Sequence, residues 1–380
     1  MSSLPAQRAL YPLLWPLGQA YAGAMALRRA RYERHCSPFR PCAPVVSIGN
    51  IGWGGSGKTP VAHWLLDWAA AQCDGAGLRT VLLTRGYKAH PPHLPYFVSP
   101  ESPVEEAGDE PLMLAQQHPQ AQVVVDPVRS RAAAVVEQTI CPDLYVLDDA
   151  FQHLAIQRDV DLVLLTPQDL TTEWNRVIPA GSWRESASAL TRAHAFLIKV
   201  APKDVAALEQ AVQHRLGRWD TPVFSFSLYP SELHRVGDVP PGRSVGQREG
   251  RNAQEISGGL CDISPQELAA SGYVLFSGVG CPEQVSETVT EFFGVPPARH
   301  HVFIDHHTYV AEDIHRMVAG GMPLVCTPKD AVKVARLPES CRRNVWTFRL
   351  ETRFGPAWKY TGTFLQWWEA SWRALARTKG

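Results

Sequence analysis

The stretch Ile48–Pro60, "IGNIGWGGSGKTP", follows a short apolar run and leads into a segment with helical spacing. Gly52, Gly57, Lys58 and Thr59 fit the pattern G-x-x-x-x-G-K-[ST]. Glycines at these positions let consecutive backbone N–H groups turn inward around phosphate oxygens. In such a loop, made here of Gly52, Trp53, Gly54, Gly55, Ser56, Gly57, Lys58 and Thr59, the lysine reaches the β- and γ-phosphates. The threonine hydroxyl ligates Mg²⁺. The helix that follows points its positive end at the same anion, and Pro60 fits its first turn because no N–H is needed there.

Working outward, apolar β-rich runs recur at "PVVSIGN", "TVLLTRG", "AQVVVD", "LYVLDD", "DLVLLTP" and "AFLIKV", with helical stretches such as 60–71 and 109–117 between them. Unbroken runs of this kind suit strands buried on both faces, and the alternation predicts a mainly parallel sheet flanked by helices. A second alternating set follows: "TPVFSFSLYP", "YVLFSGVG", "RHHVFIDHH", "MPLVCTPKD" and "VWTFRL". The expected fold is therefore α/β, P-loop NTPase-like, with a second, smaller α/β domain. The expected organisation is an N-terminal helix at 1–33, a nucleotide-binding domain at 34–205, a linker at 206–228 and a C-terminal domain at 229–380. The polar, Gly- and Pro-rich stretch 236–259 reads as loop.

Composition narrows the partners. Lys+Arg and Asp+Glu are both 37, so there is no basic excess to favour nucleic acid. The eight cysteines contain no C-x-x-C pair, which argues against a zinc site or disulfide framework and for reduced core thiols. Twelve tryptophans leave two readings open, packing or a membrane or ligand surface. Residues 9–27, "ALYPLLWPLGQAYAGAMAL", carry no charge and run into the basic "RRARYER". Pro12, Pro16 and the Ala/Gly content weaken a spanning helix. The favoured reading is a helix lying in the membrane surface, its Leu, Trp and Tyr in the acyl boundary and its arginines on anionic headgroups.

Acidic partners for the loop come from "LYVLDDAFQH", where Asp148 and Asp149 emerge at the carboxyl end of a buried strand, the edge at which open α/β sheets bind ligands. In "EAGDEP", Asp109 and Glu110 open a helix, which suits either an N-cap or a group that positions an acceptor hydroxyl. Arg129 and Arg131 in "DPVRSR" suit a phosphate clamp or a solvated helix start. Arg85, Glu185 and Lys329 are expected near the cleft without an assigned role. A membrane-associated ATPase switch of the partition or targeting type is the alternative; Trp53 stands where those proteins usually carry a lysine.

The ordered series "VVSIGNIGWGGSGKTPV", "LLTRGYK", "AGDEPLMLA", "VVVDPVRSRAAA", "VLDDAFQH", "RDVDLVLL", "PAGSWRES", "FIDHHTY" and "TPKDAVK" resembles the tetraacyldisaccharide 4′-kinase family of lipid A biosynthesis. The likeness runs from about residue 44 to 333 and is weakest at about 230–272 and at the extreme C-terminus. The resemblance implies ATP and Mg²⁺ as cofactors and an acylated disaccharide 1-phosphate as acceptor, at the cytoplasmic face of an inner membrane. It implies Asp109 as catalytic base, His306 (rather than His307) as its partner, Lys58 on the phosphates, and Thr59, Asp148, Asp149 and Glu110 about the metal. It implies no nucleic acid and no obligate protein partner.

Overall fold

The structure, a computed structural model, describes residues 10–237, 264–318 and 321–379. The strands are β1 Val45–Asn50, β2 Thr80–Thr84, β3 Tyr96–Val98, β4 Gln122–Val125, β5 Leu144–Asp148, β6 Val160–Leu165 and β7 Ala195–Lys199. They continue with β8 Val223–Arg235, β9 Val274–Ser277, β10 Arg299–Val302, β11 Leu324–Cys326 and β12 Val345–Ala357. The helices used below are α1 Tyr11–His35, α2 Lys58–Ala70, α3 Asp109–Gln117, α4 Arg129–Thr139, α5 Glu209–Leu216, α6 Pro282–Phe293, α7 Pro328–Val334 and α8 Phe364–Lys379.

All twelve strands form one sheet in the order β10-β9-β11-β12-β8-β7-β6-β1-β5-β2-β4-β3. Pairing is parallel except β3 on β4 and β8 on β12. The predicted α/β fold is what the chain adopts. Strands β1, β2, β5 and β6 are buried at every position because both faces are covered: Val46 and Ile48 point into one core, and Val45 into another across the sheet. The two lobes meet through the long antiparallel β8–β12 ladder, each strand of which starts buried and then runs partly open. Residues 206–228 hold α5 and the start of β8. The loop read at 236–259 lies outside the described residues from 238 onward.

Parallel pairing sends the carboxyl ends of β1, β2, β5 and β7 to one edge of the sheet, so the glycine-rich loop, Arg85, Asp148 and Lys199 all arise there. Gly49 lets β1 pass close under the turn after β5: a Cβ there would lie 2.7 Å from the Phe151 backbone N.

Tryptophan serves packing in the C-terminal helix. Trp368 and Trp372 of α8 meet Trp68 of α2 edge-on, and Trp68 Nε1 donates to Glu369 at 2.9 Å. The cysteine expectation needs correction: Cys326 and Cys341 are buried, but Cys36, Cys42, Cys73 and Cys141 are exposed, all as free thiols. Cys261 lies outside the described residues.

Helix α1 also departs in detail from the expected membrane helix. Ala22 and Tyr21 pack on the core, Gly18 approaches Val177 O, and Arg176 lies 4.4 Å from the Tyr11 ring centroid. Arg29 donates to Ser188 at 3.1 Å and pairs with Glu185 at 3.5 Å, so this arginine faces protein. Leu10, Leu13, Trp15, Leu17 and Leu27 remain exposed. Among the described residues no helix is long and apolar enough to cross a membrane.

Candidate active site

The loop between β1 and α2 has the backbone a phosphate cradle requires. Gly54 and Gly57 take φ +118° and +89°, the left-handed side that favours glycine, and α2 starts at Lys58. Lys58 Nζ is 3.1 Å from Asn50 Oδ1 and 3.6 Å from Asp149 Oδ1. Trp53, Gly54 and Gly55 are exposed, whereas Ser56 is buried and its Oγ lacks a partner. Lys199, at the end of β7, reaches the Gly55 carbonyl at 3.4 Å.

Asp148 and Asp149 are adjacent but differ electrostatically. Burial, then the charges of Glu110 and Asp149, push the Asp148 carboxyl up to about 6. Burial also opposes ionisation of Asp149, but Lys58 and Arg184 outweigh it and hold that carboxyl well below the usual range. Arg184 Nη2 donates to Asp149 Oδ1 at 2.8 Å and also contacts Asn50 Oδ1. Asp149 has φ +46° and His306 φ +67°, strained values for non-glycine residues that concentrate at functional sites.

Opposite the loop stands a dyad assembled from both lobes. His306 Nδ1 lies 3.0 Å from Asp109 Oδ2, and Lys333 Nζ lies 3.3 Å from the same oxygen. Burial would raise the Asp109 carboxyl, but the His306 hydrogen bond and the charges of Lys333 and Lys329 hold it below its ordinary value. His307 instead pairs with Asp313 at 3.0 Å. Lys329 sits 3.0 Å from Asp305 and 3.7 Å from Glu110, and Glu110 accepts from Thr59 Oγ1 at 3.3 Å.

Other sequence candidates serve the scaffold. Arg129 is buried and donates to the Asp148 carbonyl at 3.1 Å, fastening the acidic turn. Arg131 grips buried Asp126 with two 2.8 Å bonds. Glu185 is buried against Arg192, with a closest contact of 2.8 Å. Neither arginine is free to clamp a phosphate in this arrangement.

The sequence reading missed Asn50, Arg184, Lys199 and Lys333. Lys333 carried a usable signal: it lies four residues after Lys329, so both share one helical face.

Mg²⁺ fits the acids about the loop. Asp148 Oδ1 is buried with no hydrogen-bond partner, and Glu110, whose charge acts on Asp148, accepts from Thr59 Oγ1. No group of three His, Cys, Asp or Glu side chains poised for a metal occurs among the described residues.

Residues 10–366 match the family of tetraacyldisaccharide-1-P 4'-kinases, LpxK. The chain belongs to this family. A tetraacyldisaccharide 4'-kinase of Oleidesulfovibrio alaskensis is 51% identical over 99% of this chain and 99% of its own length. One from Acidithiobacillus ferrooxidans is 36% identical over 90% of each chain. An LpxK from Aquifex aeolicus, solved in complex with ATP, superposes with a TM-score of 0.70 at 24% identity, covering 96% of this chain and 99% of that one. That likeness speaks for the fold. Membership sets the ATPase-switch alternative aside.

Proposed function

We propose that this protein transfers the γ-phosphate of ATP to the 4′-hydroxyl of a tetraacylated glucosamine disaccharide 1-phosphate, forming the bisphosphorylated lipid IVA of the lipid A route. The observation carrying the residue assignment is the Asp109–His306 pair, 3.0 Å apart, drawn from both lobes and linked to the phosphate loop through Glu110 and Thr59.

In this reading the loop from Gly52 to Thr59 cradles the triphosphate, and Lys58 offsets charge on the transferring group. Mg²⁺ bound with the nucleotide, against Asp148, Thr59 and the neighbouring acids Asp149 and Glu110, would supply further positive charge at the phosphate oxygens. Asp109, held ionised, orients the acceptor hydroxyl and takes its proton as the bond to phosphorus forms. His306 keeps the carboxylate oriented and ionised. The C-terminal lobe, which carries His306, Lys329 and Lys333, closes over the acceptor. The exposed leucines and Trp15 of α1 lie in the membrane surface at the inner, ATP-containing face, holding the site beside a lipid that leaves the bilayer reluctantly.

The test is incubation with ATP labelled in the γ-phosphate, Mg²⁺ and the acylated disaccharide 1-phosphate, followed by chromatography of the lipid. Label in a more polar lipid product is expected. Release of label only as inorganic phosphate would defeat the assignment.

A further inference from the structure

Lys329 is the second residue of α7, which begins at Pro328 after the Thr327 cap. A cation in the first turn opposes the helix dipole, so α7 gains no stability from it. The side chain is 15% exposed, and its ammonium reaches three neighbours: Asp305 Oδ1 at 3.0 Å, His306 Nε2 at 3.3 Å and Glu110 Oε1 at 3.7 Å. Two of these are acids.

The contact with His306 is of another kind. An ammonium has three donors and no acceptor, so a ring nitrogen meets it only with a lone pair. That leaves Nε2 bare. The other ring nitrogen, Nδ1, lies 3.0 Å from Asp109 Oδ2, and the ionised carboxylate only accepts. Nδ1 therefore carries the hydrogen, since the bond made at one ring nitrogen decides the state of the other. Both neighbours call for the same tautomer. An imidazolium would set an N–H against the ammonium, and the Nε2–H form would also set a lone pair against the carboxylate. The ring is held in place from its backbone: His306 N–H bonds the Gly278 carbonyl at 3.3 Å.

We infer that Lys329 is a positioning residue for phosphoryl transfer: by donating to Nε2 it fixes His306 as the neutral Nδ1–H tautomer, which holds Asp109 by Oδ2 and leaves Oδ1 to the acceptor hydroxyl. Oδ2 is committed to His306 and lies 3.3 Å from Lys333, whereas no hydrogen bond among the described residues is made to Oδ1. A ring nitrogen already protonated cannot take a proton on from Asp109. The proton of the hydroxyl therefore stays on Oδ1 while its oxygen bonds the γ-phosphorus and ADP departs. This consequence rests on the kinase reading above; the tautomer belongs to the resting protein.

The experiment takes the full chain with ¹⁵N-labelled histidine rings and compares wild type, Lys329→Met and Lys329→Arg by long-range ¹H–¹⁵N correlation at one neutral pH. The His306 signals are those lost in His306→Gln, and unchanged signals of buried His63 and His118 report an intact fold. Wild type should show Nδ1 protonated and Nε2 bare. Lys329→Met should let a proton settle on Nε2 toward Asp305, 3.8 Å away, and Lys329→Arg should restore the wild-type pattern. Transfer of γ-label to the acylated disaccharide 1-phosphate should fall about 10-fold or more in Lys329→Met and recover in part in Lys329→Arg. A protonated Nε2 in wild type, identical His306 signals in wild type and Lys329→Met, or altered signals with unchanged transfer would each overturn the inference. A wild type with the expected tautomer that labels no lipid would overturn the kinase reading instead.

Discussion

A buried histidine pair behind the site makes a sharp prediction about pH. His63 of α2 and His118, the residue after α3, lie with Nδ1 and Nε2 2.6 Å apart. His118 is fully buried and His63 nearly so. Asp67 Oδ1 is 3.5 Å from His118 Nδ1, but Arg349 of β12 already binds that carboxylate. With its charge matched, Asp67 cannot hold a proton on the pair. Burial, with the charge of Arg349, pushes His118 down to about 3, and burial with the charges of His118 and Arg349 depresses His63 strongly. Both are therefore neutral in the fold, and below their ordinary 6.5 only the unfolded chain takes up their protons. Stability is lost as pH falls. At pH 5 the cost is set by the unfolded value alone, about 2 kcal/mol per histidine and about 4 kcal/mol for the pair. Asp148 works the other way in the same window, its raised carboxyl favouring the fold as it protonates below about 6. The raw profile therefore mixes signs, and the difference between two proteins isolates the pair. Urea unfolding followed by tryptophan fluorescence, at fixed ionic strength from pH 8 to pH 5, should be run on wild type and on the double variant His63→Leu, His118→Leu. The variant carries a constant offset from lost packing, but relative to wild type it should gain about 4 kcal/mol between pH 7.5 and pH 5. Parallel profiles would refute the reasoning, for they would mean that a protonated imidazole is already at home in this core.

Asp109→Asn keeps the shape of the side chain and removes the proton acceptor; label transfer should fall by about 100-fold or more while the KM for ATP changes little. Unchanged turnover would take Asp109 out of the chemistry. Gly49→Ala would press a methyl group within 2.7 Å of the Phe151 backbone and move the turn that presents Asp148 and Asp149. Loss of about 1–3 kcal/mol in thermal or urea unfolding is expected, with weakened nucleotide binding, and a variant as stable as wild type would count against that close approach. Replacing Leu13, Leu17 and Leu27 together by serine should cut cosedimentation with anionic vesicles at least roughly tenfold, since each buried leucine contributes about 1.5–3 kcal/mol. Undiminished sedimentation would remove α1 from membrane attachment.

The central strands were legible because both faces of the sheet are covered there, which makes β2, β4 and β5 nearly continuous apolar runs that stand out without any periodicity. β3 escaped notice: three residues after a proline on the sheet's outer edge leave almost no pattern. Within the site, glycines and the Gly-Lys-Thr sequence were readable because cradle geometry constrains local backbone. Pairings between distant segments were not. Arg184 and Glu185 are neighbours in "GSWRES", yet one reaches Asp149 and the other Arg192. Which of two adjacent side chains enters a cleft depends on the path of the loop, and composition carries no trace of it. Helix α1 shows the same limit: its apolar content was visible, but the face given to Val177 and Arg176 was set by a partner loop far along the chain.

Asp109 shows how such long-range pairing sets the charge of a side chain. Taken alone it opens α3 as an ordinary acidic first-turn residue, half-way to burial in a place that would raise its carboxyl. The groups that reverse this, His306, Lys329 and Lys333, all come from the second lobe. The facing surfaces also pair Arg336 with Glu105 at 2.9 Å and Lys199 with Gln284 at 3.2 Å, beside buried Val332 of α7, which joins the first lobe's core. If the lobes part, Asp109 loses every cation that holds it ionised, whereas Lys58, Arg184 and Asp149 keep one another within the first lobe. In the kinase reading proposed above, the nucleotide side of the site is therefore held within the first lobe, whereas the proton-accepting side depends on residues of the second.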